Sequence, residues 1–381
     1  MANYLQELRS FFRKGDMILL LLCLITTVFG LLVVASATNA VGSVRFVVMQ
    51  IAGAGLGVLF YALISSVDVE FLAENRWALV VFNTFLLLLL IPFGEDINGN
   101  RSWLNLPLLP FNIQVAEICK ITYVLIMASV MASHQNRISS IPSVLHMVLH
   151  LGLLVGLNMV LSGDAGVSLI FVFTFALMAF SGGVSLWWFL LGVVGLGAAM
   201  PLVWNWMGDY QRLRIEVLFN PDLDPEGIGV RYHTVQSLRS LTGGGWTGQG
   251  LFNGNRTQGD ELAAGHTDYI FSSIGEELGF VGCAAAILLL VIIILRCIQV
   301  GVQSPDYMRR MICFGAASVL MFQLISNVGM CIGITPVIGL TLPFISYGPS
   351  SIVTIYAMLG LVSGVHARPS PLSHERYIRP Y

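Results

Sequence analysis

Charge is what this sequence has little of: 19 Lys or Arg and 21 Asp or Glu among 381 residues, 10% in all. Soluble domains carry roughly 25%, so a water-soluble globule is excluded. Blocks of like charge are missing too, and a net charge of -2 gives a polyanion nothing to bind, which sets nucleic acid aside as a partner. Paired cysteines are absent: Cys23, Cys119, Cys283, Cys297, Cys313 and Cys331 stand singly in or beside apolar runs, with no CxxC spacing. They read as small apolar packers rather than a redox or metal site. The first apolar run is not followed by a small-residue cleavage site and is expected to remain as a membrane span. No internal repeat, low-complexity tract or linker divides the chain, so residues 1–381 read as a single integral-membrane domain.

Hydrophobic residues take the place of charge, at 56% of the chain with a mean hydropathy of +0.80. Crossing about 30 Å of hydrocarbon at 1.5 Å per residue takes roughly 20 apolar residues. Ten runs approach that length, at about 17–38, 46–65, 77–93, 115–132, 143–161, 166–182, 185–206, 269–296, 309–334 and 350–366. The expected fold class is therefore all-α: a polytopic membrane protein of about ten transmembrane helices.

Ten spans put both ends of the chain on one side. Arg9, Arg13, Lys14, Arg76, Arg137, Arg296, Arg309, Arg310, Arg368, Arg376 and Arg379 fall there, 11 of the 19 basic residues, and the excess of Lys and Arg in short loops marks the cytoplasm. The expectation is a cytoplasmic N-terminus over 1–16, a cytoplasmic tail over 367–381, and one large extracytoplasmic loop over 207–268.

Three stretches carry possible chemistry. In "FNIQVAEICKITYVLIMASVMA", Glu117 and Lys120 lie three apart, on one face of the fourth span. Charges at a span's centre cost roughly 2.5–3.5 kcal/mol each on insertion scales, so such a pair either locks helices together or lines a polar cavity. The long loop holds five arginines, Arg212, Arg214, Arg231, Arg239 and Arg256, with eight carboxylates. An ordered loop of that kind either binds a phosphate-bearing ligand through guanidinium forks or pairs its own charges. In "MFQLISNVGMCIGITPVIGLTLPFISYGPSSIV", Pro and Gly break an apolar run, and irregular backbone at membrane depth needs protein or a watery cavity to satisfy it. Gln323, Asn327, Ser346 and Tyr347 are the polar partners at hand.

Other patterns are discounted. Gly243, Gly245 and Gly248 satisfy GxGxxG without the strand and helix that a dinucleotide site requires. "DLDPEG" begins like a calcium loop but reaches His233, not Glu, at its twelfth position. His146 and His150 have the i,i+4 spacing of a zinc helix, but the sequence offers no intervening Glu or third ligand, and they read as ordinary helix-end histidines.

Taken in order, "NGNRSWLNL", "FNIQVAEICKI", "GDAGVSLI", "YQRLRI", "FNPDLDPEGIGVRYHTVQSL", "GGGWTGQGL", "AGHTDYIFSSIGEELGFVG" and "GITPVIGLTLPFISYGPSSIV" resemble the motifs of the SEDS family of bacterial cell-wall proteins, which includes RodA, FtsW and SpoVE. The resemblance covers about residues 16 to 366. It implies a ten-helix peptidoglycan glycosyltransferase that polymerises lipid II at the outer face of the bacterial cytoplasmic membrane, partnered by a class B penicillin-binding protein, in elongation, division or sporulation. The Asp of the family's HTD motif, taken as catalytic, matches Asp268. Trp103, Glu117 and Lys120 match positions around a central cavity, and Glu276 and Glu277 match the EE pair.

A β-1,4 linkage made from an α-linked pyrophosphate requires inversion and a general base, which suits a carboxylate at headgroup level. The substrate contacts expected are Trp103, Glu117, Lys120, Arg212, Arg214, Arg231, His266, Glu276, Ser346 and Tyr347. An i,i+8 relation would put Glu276 roughly on the helix face of Asp268. The sequence specifies no cofactor; a divalent cation, magnesium or manganese, at the pyrophosphate is the one candidate. Two departures from the family pattern stand out: Gln114-Val115-Ala116-Glu117 replaces QPSE, and Pro349 replaces a Gly in SYGGS. A lipid II flippase is the alternative reading, which would make Glu117 and Lys120 essential and Asp268 less so, and a scaffold that only recruits the transpeptidase is a third.

Overall fold

The computed structural model describes residues 15–39, 42–70, 75–97, 100–105, 112–259, 261–262 and 264–368. Arg9, Arg13, Lys14, Arg376 and Arg379, used above for orientation, lie outside the described residues. Among the described residues nine helices are long and apolar enough to cross a membrane: α1 (Met17–Ala37), α2 (Val44–Ser66), α3 (Arg76–Phe93), α4 (Val115–Ser133), α5 (Ile141–Leu161), α7 (Leu186–Trp206), α10 (Ile270–Gln303), α11 (Tyr307–Cys331) and α12 (Pro349–Ala367). A shorter apolar helix, α6 (Ala165–Ser181), packs among them. These match the ten runs of the sequence, and the chain is a polytopic all-α membrane protein.

α4, α11 and α12 form the centre and bury most of their residues, whereas the membrane window of α7 buries none. The exposed leucines, valines and tryptophans of the outer helices suit lipid, which is as apolar as they are. Small residues bring the central helices close. A Cβ added to Gly57 of α2 would meet Tyr356 of α12 at 2.7 Å, and one added to Gly360 would meet the backbone of Tyr61 at 2.9 Å, the small-residue packing membrane helices favour.

α10 is bent: Gly279 has φ 66, a left-handed conformation open to glycine. A Cβ there would sit 2.4 Å from the amide nitrogen of Gly248. The returning segment pairs with the bend, Gln249 and Gly250 donating to the carbonyls of Glu276 and Glu277, and Phe280 to that of Gly245.

A small antiparallel sheet, unforeseen in the all-α reading, joins α3 to α4: β1 (Gly94–Ile97), β2 (Asn100–Leu104) and β3 (Ile113–Gln114). Trp103 pairs with Glu95 on one side and Gln114 on the other. The hydroxyls of Ser102 and Ser162 lie 2.6 Å apart, tying the sheet to the α5–α6 turn. Between α7 and α10 the chain forms α8 (Asp209–Phe219) and α9 (Tyr232–Gly244).

Candidate active site

Alternating helix directions place the sheet, the α5–α6 turn, the long loop and the broken stretch 332–348 at one end of the bundle, where they enclose a cavity of about 780 Å³. Its wall includes Arg45 and Phe46 of α2, Trp103, Gln114, Glu117, Asp164, Arg214 of α8, Asp268, Gln323 and Tyr347.

Asp268 sits in the turn before α10, held through its main chain. Its carbonyl accepts from the side-chain amide of Asn327 at 2.7 Å, that of Thr267 from the Ser346 hydroxyl at 2.7 Å, and that of His266 from the Tyr347 amide at 2.9 Å. No described side chain hydrogen-bonds the Asp268 carboxylate, and a Cβ on Gly339 would lie 3.5 Å from its Oδ2, so that flank stays open. Burial, and then the negative charge of Asp164, push its pKa up to about 6, close to that of a base working near neutrality. Asp164 is held above the usual carboxylate range chiefly by burial. It caps α6 by accepting from the Val167 amide at 3.0 Å and accepts from Gln114 Nε2 at 3.2 Å.

Glu117 is 4% exposed and fully engaged on its inner side: Lys120 Nζ lies 2.7 Å from Oε1 and the Thr354 hydroxyl donates to Oε2 at 2.8 Å. Lys120, 2% exposed, is therefore a counter-ion behind the wall, not a part of it.

The arginines separate by helix geometry. Arg212 and Arg214 are two apart, so on a helix they face nearly opposite ways. Arg214 faces the cavity, donating to the Val337 carbonyl at 3.1 Å and lying over the Tyr210 ring. Arg212 turns back to the carbonyls of Trp204 and Asn205 at the end of α7, and Arg231 closes its own turn through the carbonyls of Pro221 and Asp224; neither borders the cavity. Arg45, which the sequence reading counted only as a basic residue, does border it. Among the described residues neither Arg45 nor Arg214 forms an ion pair.

His266 packs against Phe46 and Tyr347, ring centroids 5.0 and 5.8 Å away, and Tyr347 lines the wall. The Ser346 hydroxyl is spent on Thr267 and on the Leu342 amide. Gln50 clamps the same reversal from below, donating to the Ser346 carbonyl and accepting from Gly348, each at 3.0 Å.

Glu276 stands apart from the cavity. α10 begins at Ile270, after Asp268, so the expected shared helix face does not exist. The Glu276 carboxylate accepts instead from the amides of Arg256 and Thr257 at 3.0 and 2.8 Å. Glu277 accepts from Ser36 and Gln258, so the pair braces the loop onto α1 and α10. The two departures from the family pattern are absorbed locally. Pro349 occupies the first turn of α12, where its missing N–H costs nothing, and the Gln114 amide reaches the Ser350 hydroxyl at 3.3 Å.

The bundle is a helical membrane protein whose cavity brings Asp268 together with Arg45, Arg214 and the buried carboxylates Glu117 and Asp164. Residues 16–370 match the family of cell cycle proteins that comprises FtsW, RodA and SpoVE, and this chain belongs to it. It is 31% identical to the peptidoglycan glycosyltransferase MrdB of Escherichia coli K12, over 94% of this chain and 95% of that protein. It is also 31% identical to stage V sporulation protein E of Bacillus subtilis 168, over 92% and 96%. Among solved structures it resembles a chain of a peptidoglycan synthase complex that coordinates polymerization and crosslinking, at 27% identity and TM-score 0.78 over 96% of this chain and 99% of that one. It also resembles the rod shape determining protein RodA of Thermus thermophilus, at 26% identity and TM-score 0.69 over 94% and 98%.

Proposed function

We propose that this protein is a peptidoglycan glycosyltransferase that polymerises lipid II, with Asp268 as general base. The observation that carries the reading is the Asp268 carboxylate, without a side-chain hydrogen-bond partner among the described residues, at the edge of a cavity that also presents Arg45 and Arg214. The Asp268 oxygen takes the proton of the acceptor sugar hydroxyl as that oxygen bonds to the anomeric carbon of the donor. The bond from that carbon to the lipid pyrophosphate breaks, and the pyrophosphate leaves with the electron pair. Arg45 and Arg214, neither in an ion pair among the described residues, receive its charge through guanidinium forks. Trp103, Phe46 and Tyr347 supply apolar walls for sugar rings.

The bundle is oriented with this cavity outward and both termini cytoplasmic, in the bacterial cytoplasmic membrane; residues 207–268 form the outer loop, and 1–16 and 367–381 the cytoplasmic ends of one domain. The likeness to a synthase complex supports a transpeptidase partner, a class B penicillin-binding protein, in elongation, division or sporulation. Among the described residues no three His, Cys, Asp or Glu side chains are grouped to hold a metal, and the steps above use the chain's own residues alone.

Labelled lipid II incubated with purified protein and its transpeptidase, with glycan ladders read on a gel, tests this. The ladder is expected to vanish in Asp268→Ala while complex formation persists. A flippase predicts the opposite ranking, with Glu117→Gln and Lys120→Met abolishing lipid transfer and Asp268→Ala sparing it.

A further inference from the structure

At the opposite end of the bundle the structure assembles a group that sequence spacing showed only in part. His146 and His150, one turn apart on α5, are joined by His134 at the end of α4. His134 Nε2 lies 2.9 Å from His146 Nδ1, and His146 Nε2 lies 3.2 Å from His150 Nε2. The middle ring uses a different nitrogen toward each neighbour. The nitrogens therefore form a row instead of converging on a point, and the described residues show no metal-holding group here.

One hydroxyl bears on the direction of the row. Ser143 Oγ lies 2.9 Å from the Arg137 carbonyl, 2.8 Å from Ser140 Oγ and 3.0 Å from His134 Nδ1; with its single proton given to the carbonyl, which can only accept, it accepts from His134 Nδ1. A neutral imidazole has one N–H and one bare nitrogen. His134 thus carries its proton on Nδ1 and accepts on Nε2, His146 donates from Nδ1 and accepts on Nε2, and His150 donates from Nε2, leaving Nδ1 bare. All three donors point the same way, toward Ser143.

The inner end of the row meets a second polar feature. His150, 8% exposed, lines a cavity of about 20 Å³ with Asn83, Thr84 and Tyr123, large enough for one water. Tyr123 is 1% exposed and its hydroxyl has no hydrogen-bond partner among the described groups. Asn83 Oδ1 accepts from the Thr122 hydroxyl at 2.5 Å, two residues from Lys120 on α4. Arg76 hydrogen-bonds the Ser133 hydroxyl at 3.2 Å, and Trp77 packs on the His150 ring. Polar groups strung through a membrane interior are costly and mark ion or proton paths, and none of these serves the glycosyl transfer described above.

We propose that His134, His146 and His150 form a proton relay between the α3–α4–α5 pocket and the end of the bundle at Ser143, which is the cytoplasmic end in the orientation proposed above. A proton added to His150 Nδ1 displaces the Nε2 proton onto His146 Nε2. The Nδ1 proton of His146 passes to His134 Nε2, and the Nδ1 proton of His134 leaves toward Ser143 and solvent. One proton enters and one leaves. The three rings end in the opposite tautomers, and a second proton passes in the same direction only after each ring has exchanged its proton back to the starting nitrogen.

Nitrogen-15 NMR of histidine-labelled full-length protein in lipid nanodiscs, each ring assigned by single substitution, tests the relay without measuring glycan synthesis, so its failure is separable from failure of the proposed function. At alkaline pH the expected protonated nitrogens are Nδ1 of His134 and His146 and Nε2 of His150. In Ser143→Ala, which removes the acceptor that sets the direction, all three rings are expected to shift toward the opposite tautomers together. In His146→Phe, with thermal stability checked to confirm folding, His150 is expected to lose the titration it shares with His134. Nε2 protonation of all three rings in the wild type, a tautomer change confined to His134 in Ser143→Ala, or an unchanged His150 titration in His146→Phe would each overturn the relay.

Discussion

The side-chain amide of Asn327 on α11 donates to the carbonyls of Asp268 and Leu340, each at 2.7 Å, joining the turn that carries the aspartate to the broken stretch facing it. Asn327 is fully buried and touches no reacting atom; it sets where the Asp268 carboxylate points. Asn327→Leu is expected to lower kcat on the order of tenfold, about 1.4 kcal/mol of barrier, with KM little changed. Steady-state polymerisation rates check it, and a rise in KM at constant kcat would show that Asn327 acts on binding instead.

The pH dependence follows from the same carboxylate. With the Asp268 pKa raised to about 6, the base is ionised above that pH and protonated below it, so kcat/KM is expected to fall as pH drops through about 6. Asp164 contributes to the rise through its negative charge, after burial. Asp164→Asn keeps a helix-capping side chain and removes the charge, so the acidic limb is expected to move to lower pH. A limb that stays in place would mean burial alone sets it.

Arg45 is exposed at the cavity mouth, so its removal leaves no buried group unpaired. Arg45→Ala is expected to keep the thermal stability of the wild type and to lower kcat/KM roughly 10- to 100-fold, the worth of about 1.5–3 kcal/mol for hydrogen bonds to a charged group. Arg45→Lys, which keeps the charge but loses the fork, is expected to fall between. Arg212→Ala serves as a control with unchanged kcat/KM, because Arg212 points away from the cavity.

Much of this was legible in the sequence, for definable reasons. Span lengths follow from membrane thickness, so all ten apolar runs reappear as helices. α10 runs seven residues past the expected end at 296, to Gln303, because Arg296, paired with Asp16 at 2.9 Å, does not stop a helix. Glu117 and Lys120 were readable as a pair because i,i+3 spacing fixes a helix face. The roles of Asp164 and Arg45 are not legible in the sequence, because their place at the cavity depends on contacts distant in sequence. The sheet was missed because its strands span two to five residues, too short for an alternating pattern to show. Glu276 was assigned to Asp268's face on the premise that the helix began before the aspartate, and the turn at 264–269 removes that premise.

The buried pair offers a test of stability. Lys120→Met leaves the Glu117 carboxylate without its counter-ion, and breaking such a pair from one side costs on the order of 3–5 kcal/mol. Glu117→Gln combined with Lys120→Met removes both charges and is expected to recover most of that loss. Thermal unfolding of the four proteins in detergent measures the coupling, and additive losses would show that the two charges do not depend on each other.

The measurement closest to the central claim is single-turnover glycosyl transfer by Asp268→Asn protein bound to its transpeptidase, with lipid II binding measured alongside. Loss of a general base predicts a rate lowered roughly 10²- to 10⁴-fold with lipid II affinity retained. A rate within tenfold of the wild type would contradict the assignment of Asp268 as the base.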